Sequence, residues 1–171
     1  MGGKTRLRQD SPGAGQPAIR LRRARADDRS FVRSLYLVNA RVHLSALGPV
    51  DEDALRARFE RTYRQYQASI ICLAAQRIGW LQVKEAKDQI HIGQLHLIPS
   101  HRNCGIGGRL IRAILVRAQE SGRPVELNVI RGNPAIHLYQ RLGFRLIGED
   151  AEKLQMRWDA RGKDGENPAG A

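Results

Sequence analysis

Residues 100–111 read SHRNCGIGGRLI, and their placement decides how the rest of the chain is organised. Upstream, QIHIGQLHLI (89–98) alternates apolar and polar residues and stops at Pro99. Downstream, Leu110, Ile111, Ile114, Leu115 and Ala118 recur at helical spacing, with Arg109, Arg112 and Arg117 on the opposite face. The segment is therefore a strand that passes through a glycine turn into an amphipathic helix. Such a turn is either a plain tight strand-to-helix connection or an anion site, since the first N–H groups of a helix have no acceptor within it and point outward. Glycine lets that backbone take positive φ and come close to a phosphate. Arg102 and Arg109 flank the turn and can add charge-assisted hydrogen bonds. Two better-known phosphate loops are excluded. No lysine occurs between Lys87 and Lys153, as a P-loop requires, and Leu110 stands where a dinucleotide fingerprint has its third glycine.

Working outward, AIRLRRA (18–24) alternates like a half-buried strand. ADDRSFVRSLYLVNARVHL (26–44) places Phe31, Leu35 and Val38 on one helical stripe, with Asp27 or Asp28 as N-cap. A second helix runs from about Asp51 to Tyr66 on Leu55, Phe59 and Tyr63. SIICLAAQ (69–76) and GWLQVKEA (79–86) read as strands with a break near Arg77 to Gly79. Past the long helix, Gly122 and Pro124 end it, VELNVI (125–130) is a strand, and NPAIHLYQRL (133–142) is a short helix with Pro134 in its first turn. FRLIGE (144–149) and LQMRW (154–158) close the chain as strands. The order β α α β β β α β α β β has three strands in succession, which excludes an all-parallel sheet and calls for a mixed one.

With 171 residues and 42% apolar content the chain suits one domain with a proper core. The reading is a disordered tail over 1–17, a folded domain over 18–159 and a second disordered tail over 160–171. Cys72 and Cys104 form neither a disulfide framework nor a metal spacing, so no metal site is expected. No run approaches the roughly 20 apolar residues of a membrane span, and the expectation is a soluble cytoplasmic protein without a membrane partner. A net charge of +12 asks for an anionic partner, which nucleic acid or a polyphosphate cofactor would equally supply.

About 25 residues after the glycine turn comes LNVIRGNPAIHLYQRLGF (127–144). Taken with the turn, it resembles the GNAT superfamily of acyl-CoA-dependent N-acetyltransferases. The acyl-CoA loop pattern Gln/Arg-x-x-Gly-x-Gly/Ala is matched by Arg102, Gly105 and Gly107, and the later Asn–helix–Leu-Gly-Phe segment by Asn133, Ala135, Tyr139, Gly143 and Phe144. The resemblance covers residues 18 to 158. It implies an α+β fold, a central mixed, mostly antiparallel twisted sheet of about six or seven strands flanked by about four helices. It also implies acetyl-CoA as co-substrate, with the pyrophosphate on Arg102, Asn103, Cys104, Gly105, Ile106, Gly107, Gly108 and Arg109. The pantetheine arm would pair with the strand near Leu97 and Ile98, whose N–H groups would polarise the thioester. Tyr139 would be the general acid beside the coenzyme sulfur, or else a core aromatic with Ile136 and Leu142. Asn133 would contact the arm, cap its helix, or do both.

For a base, strand alternation places Gln94 and His96 on one face and Leu95 and Leu97 on the other. His96 titrates near neutral pH when free, and a buried, hydrogen-bonded histidine is its alternative role. Glu85 and Glu126 are reserves. The implied activity is acetyl transfer to a primary amine of a small molecule, peptide or protein. Leu37, Leu44, Leu47, Tyr63, Tyr66 and Trp80 would serve the acceptor pocket or the core. The competing readings are a basic nucleic-acid-associated protein, including an acetyltransferase acting on aminoacyl-tRNA, and a catalytically silent acyl-CoA binder. Monomer and homodimer both stay open.

Overall fold

The computed structural model describes residues 18–65 and 68–160. The tails expected at 1–17 and, Ala160 apart, at 160–171 lie outside the described residues, as does Tyr66. The elements are β1 (Ile19–Arg23), α1 (Arg29–Leu44), α2 (Glu52–Gln65), β2 (Ala68–Leu73), β3 (Gln76–Glu85) and β4 (Ile90–Leu97). They continue as α3 (Ile106–Ser121), β5 (Val125–Ile130), α4 (Ala135–Arg141), β6 (Arg145–Glu149) and β7 (Lys153–Trp158), and single turns of 3-10 helix precede α1 and follow β4. The seven strands form one sheet in the order β1-β2-β3-β4-β5-β7-β6. Only β4 and β5 run parallel.

Each face of the sheet has its own core. On one, Leu110, Ile111, Ile114, Leu115 and Ala118 of α3 pack with Ile90, Ile92, Val125, Leu127 and Met156. Burying a Leu or Ile side chain contributes about 2 kcal/mol, so this apolar stripe is what holds α3 in place. On the other face, Val32, Leu35, Tyr36 and Ala40 of α1 join Leu55 and Phe59 of α2 against Ile70 and Trp80.

Three local expectations change. Val38 is 50% exposed, because α1 is turned by about one residue and buries Val32, Leu35, Tyr36, Asn39 and Ala40. The strand break falls at Ala74–Ala75, with Ala74 at φ 51°, and Gly79 lies inside β3. Asp28 makes no side-chain capping bond to α1. Its buried carboxylate accepts Arg22 Nη1 and Nη2 at 2.6 and 2.8 Å, the Arg25 N–H at 2.8 Å and Arg77 Nη1 at 3.2 Å. It thereby clips the start of α1 to β1 and to the start of β3.

The feature that positions the site is a split in the sheet. The register of β3 against β4 slips between Gln82 and Val83, leaving Gly93 as an extra residue on β4. A bulge bends the strand that carries it. β4 pairs with β5 only over Ile90, His91 and Ile92, and from Gly93 to Leu97 the two strands make no ladder.

Candidate functional site

The split opens toward the glycine turn. β4 ends at Leu97, passes Pro99–His101, and enters α3 through Asn103 at φ 57° and Gly105 at φ 73°. The first helical bond is from the Arg109 N–H to the Gly105 carbonyl, at 3.0 Å. Among the described residues, the N–H groups from Asn103 to Gly108 have no acceptor. Six unpaired donors on one turn are the kind of arrangement that can hold an anion. A Cβ on Gly107 would lie 3.5 Å from Leu138 Cδ2 and 3.8 Å from Leu95 Cδ2, which is ordinary contact. Alanine therefore fits there, and a longer side chain would have to enter the gap between α4 and β4.

Gly107 brings the turn against Leu138 of α4 and Leu95 of β4 at this corner. Arg109 is exposed on the first turn of α3. Cys104 is exposed, with its Sγ donating to the Arg102 carbonyl at 3.3 Å. The Ile98 N–H donates to the Ile78 carbonyl at 2.9 Å, so it is committed to the sheet and is not free to polarise a thioester. Antiparallel alternation then turns the N–H groups of Leu97 and Leu95 to the opposite edge, the one facing the split.

Asn133 Oδ1 accepts the Ala135 N–H at 2.9 Å, capping α4 and leaving its amide nitrogen for other partners. Tyr139 is 9% exposed, packs edge-on against Phe144 with ring centroids 5.8 Å apart, and joins the α3 core. Burial pushes its phenol up to about 12. At any ordinary pH it keeps its proton.

His96 differs from the sequence reading. Its ring stacks on Trp80 with centroids 5.2 Å apart and planes 9° apart, and Tyr36 lies 5.8 Å away. Nδ1 is 2.9 Å from Asn39 Nδ2, and Nε2 is 2.6 Å from Gln94 Oε1. Burial, with Arg102 and His43 adding like charge, lowers its pKa to about 3. A neutral ring with both nitrogens engaged and so weak a conjugate base is poorly suited to take a proton from an amine. Of the reserves, Glu85 is bound by Arg117 and Arg123 at 2.9 and 3.1 Å, and Glu126 by Arg157 at 2.8 Å.

Arg102 also departs from expectation. Its backbone N–H donates to the Pro99 carbonyl, and its side chain folds back from the turn. Nε donates to the Leu97 carbonyl at 3.1 Å, and Nη2 donates to Asn39 Oδ1. Asn39, which bonds both Arg102 and His96, is a residue that the pattern reading missed. It sits four residues after Leu35 on the inward stripe of α1, and a polar residue in that position is the signal that marks it.

Leu37, Leu44 and Tyr63 pack against the α1–α2 core, as Trp80 does within it, while Leu47 is exposed. Among the described residues no group of histidines, cysteines and carboxylates could hold a metal ion, and no helix is long and apolar enough to cross a membrane.

The sequence matches the acetyltransferase (GNAT) domain family over residues 67–146. No curated protein sequence matches it. Among solved structures, the fold resembles the PaiA N-acetyltransferase of Thermoplasma acidophilum in complex with coenzyme A, with a TM-score of 0.66 and 16% identity over 83% of this chain and 99% of that one. It also resembles YncA, a putative acetyltransferase from Salmonella typhimurium with its cofactor acetyl-CoA, with a TM-score of 0.55 and 18% identity over 88% and 99%. The ribosomal-protein-S18-alanine N-acetyltransferase of Escherichia coli superposes with a TM-score of 0.61 at 13% identity over 87% and 99%. The matched segment, the glycine turn and the split sheet of the shared fold make this chain similar to the GNAT acetyltransferases.

Proposed function

We propose that the protein transfers an acetyl group from acetyl-CoA to a primary amine, with the glycine turn holding the coenzyme pyrophosphate. The observation that carries this reading is the cradle of six unpaired N–H groups from Asn103 to Gly108, set beside the unpaired edge of β4. The residues present suit such a ligand. The cradle offers fixed donors to two phosphates, Arg109 stands at its rim, and the free edge of β4 offers the Leu97 and Leu95 N–H groups to an extended amide-bearing arm. Asn133 keeps its amide nitrogen for the same arm. The co-substrate supplies an activated thioester carbonyl.

The chain's own groups do the rest. In this reading the Leu97 N–H stabilises negative charge on an acyl oxygen, and the Tyr139 hydroxyl supplies a hydrogen bond to the departing sulfur. With His96 engaged and Glu85 and Glu126 paired to arginines, the amine enters neutral and releases its second proton to solvent at the open mouth.

The test is calorimetric titration with acetyl-CoA, followed by measurement of thiol release with a panel of amines. The wild type should bind saturably. Gly107→Glu should lose that binding, because its side chain carries bulk and negative charge into the gap between α4 and β4 beside the turn, and circular dichroism checks that the variant is folded. Full affinity in a folded Gly107→Glu protein would remove the turn from the site.

A further inference from the structure

We propose that Arg102 is a positioning residue: through Asn39 it fixes His96 as the neutral Nε2–H tautomer and ties α1 to the free edge of β4. The direction of the chain follows from chemistry. A guanidinium only donates, so the Asn39 atom facing Arg102 Nη2 is its carbonyl oxygen. The Asn39 amide nitrogen then faces His96 Nδ1 at 2.9 Å and donates to it. A ring nitrogen that accepts carries no proton, so the His96 proton sits on Nε2 and is donated to Gln94 Oε1 at 2.6 Å. Every link from Arg102 to Gln94 is therefore a donor meeting an acceptor. Reversing any one link would set two donors or two acceptors face to face.

The surroundings agree. The groups packed around His96 are Trp80 from β3, Tyr36 and His43 from α1, and Arg102 from the turn. None of these is a carboxylate, so nothing beside the ring favours an imidazolium. Arg102 also donates through Nε to the Leu97 carbonyl on the split edge of β4, at 3.1 Å. One side chain thus joins the strand beside the cradle to the helix that covers the other face. The consequence for catalysis, which alone rests on the acetyl-transfer reading, is that His96 braces the wall of the site and takes no proton from substrate.

The test reads the ring directly, by nitrogen-detected proton correlation spectra of the full-length 15N-labelled protein as a function of pH. His96→Gln assigns the signal. In the wild type, His96 should show one protonated nitrogen, Nε2, and one unprotonated nitrogen, Nδ1, and stay so down to below about pH 5, while a free histidine titrates near 6.5. Arg102→Met removes the obligatory donor and should give a mixture of both tautomers. Asn39→Asp replaces the donor at Nδ1 with a carboxylate, which should move the proton to Nδ1 and raise the titration midpoint by about 1 to 3 pH units.

A wild-type ring protonated at Nδ1, or one titrating near 6.5, would overturn the proposal. So would an unchanged Nε2–H form in a folded Arg102→Met protein. Coenzyme A titrated into the same wild-type sample separates the two readings. The expected tautomer without coenzyme binding would uphold the positioning chain and remove the transfer reading alone.

Discussion

Burial acts on Tyr139 in two opposing ways. It holds the phenol at about 12, so the donor is never lost at working pH, and it makes complete proton transfer to a thiolate less favourable. Under the proposed acetyl transfer, its contribution is a hydrogen bond that strengthens as charge develops on sulfur. Tyr139→Phe is expected to lower kcat by about a hundredfold and to leave acetyl-CoA affinity within about twofold, measured by steady-state kinetics and calorimetry. For the same reason the wild-type rate should show no alkaline fall from this group below about pH 11. Asp28 is the other informative residue. Hydrogen bonds from Arg22 hold its carboxyl well below the usual carboxylate range, helped by the Arg25 N–H and Arg77. A depressed folded value gives stability that is complete above the unfolded value near 3.9 and is lost as pH falls toward the folded one. Asp28→Asn should cost about 2 kcal/mol in urea denaturation at pH 7, and the gap to wild type should narrow below about pH 4.

At the scale of elements, Gly79 decides how closely β3 and β4 approach. A Cβ there would lie 2.2 Å from the His96 carbonyl oxygen, a backbone atom that cannot swing aside. Gly79→Ala should therefore cost about 3 kcal/mol, spread the strands beside His96, and lower both the melting temperature and coenzyme affinity. A melting temperature equal to wild type would contradict the close approach. The same residue explains why the β2–β3 break was misplaced in the sequence. Glycine is ordinarily a turn signal, and here it serves strand packing, while the turn is made by Ala74 and Ala75. The α1 stripe failed for a related reason. Apolar residues occur nearly all around Phe31 to Val38, so periodicity admits two faces, and only contact with Ile70 and Trp80 selects one. In α3 the arginines leave a single apolar face, and the stripe was legible.

For the whole molecule, the charge of +12 leaves two kinds of anionic partner, and salt separates them. Ligand held by fixed backbone N–H groups in the cradle should lose less than about tenfold in affinity between about 50 and 200 mM salt. A single-stranded RNA held by six to ten phosphates would lose about three hundredfold or more over the same range. Parallel titrations of coenzyme A and a short single-stranded RNA make the comparison. Equal, steep losses for both would point to a diffuse basic surface in place of a built site.

The order of the elements, the mixed sheet and the glycine turn into α3 were legible in the sequence alone. Those are local matters of periodicity, of glycine conformations and of donors left over at a helix start. Tertiary structure decided where the sheet splits, because the bulge at Gly93 exists only in the register of β4 against β3. It also decided what Arg102 and His96 do. Asn39 meets His96 across 57 residues of chain and Arg102 across 63, and a contact between such distant positions is set by the packing of α1 on the sheet, which no local pattern encodes.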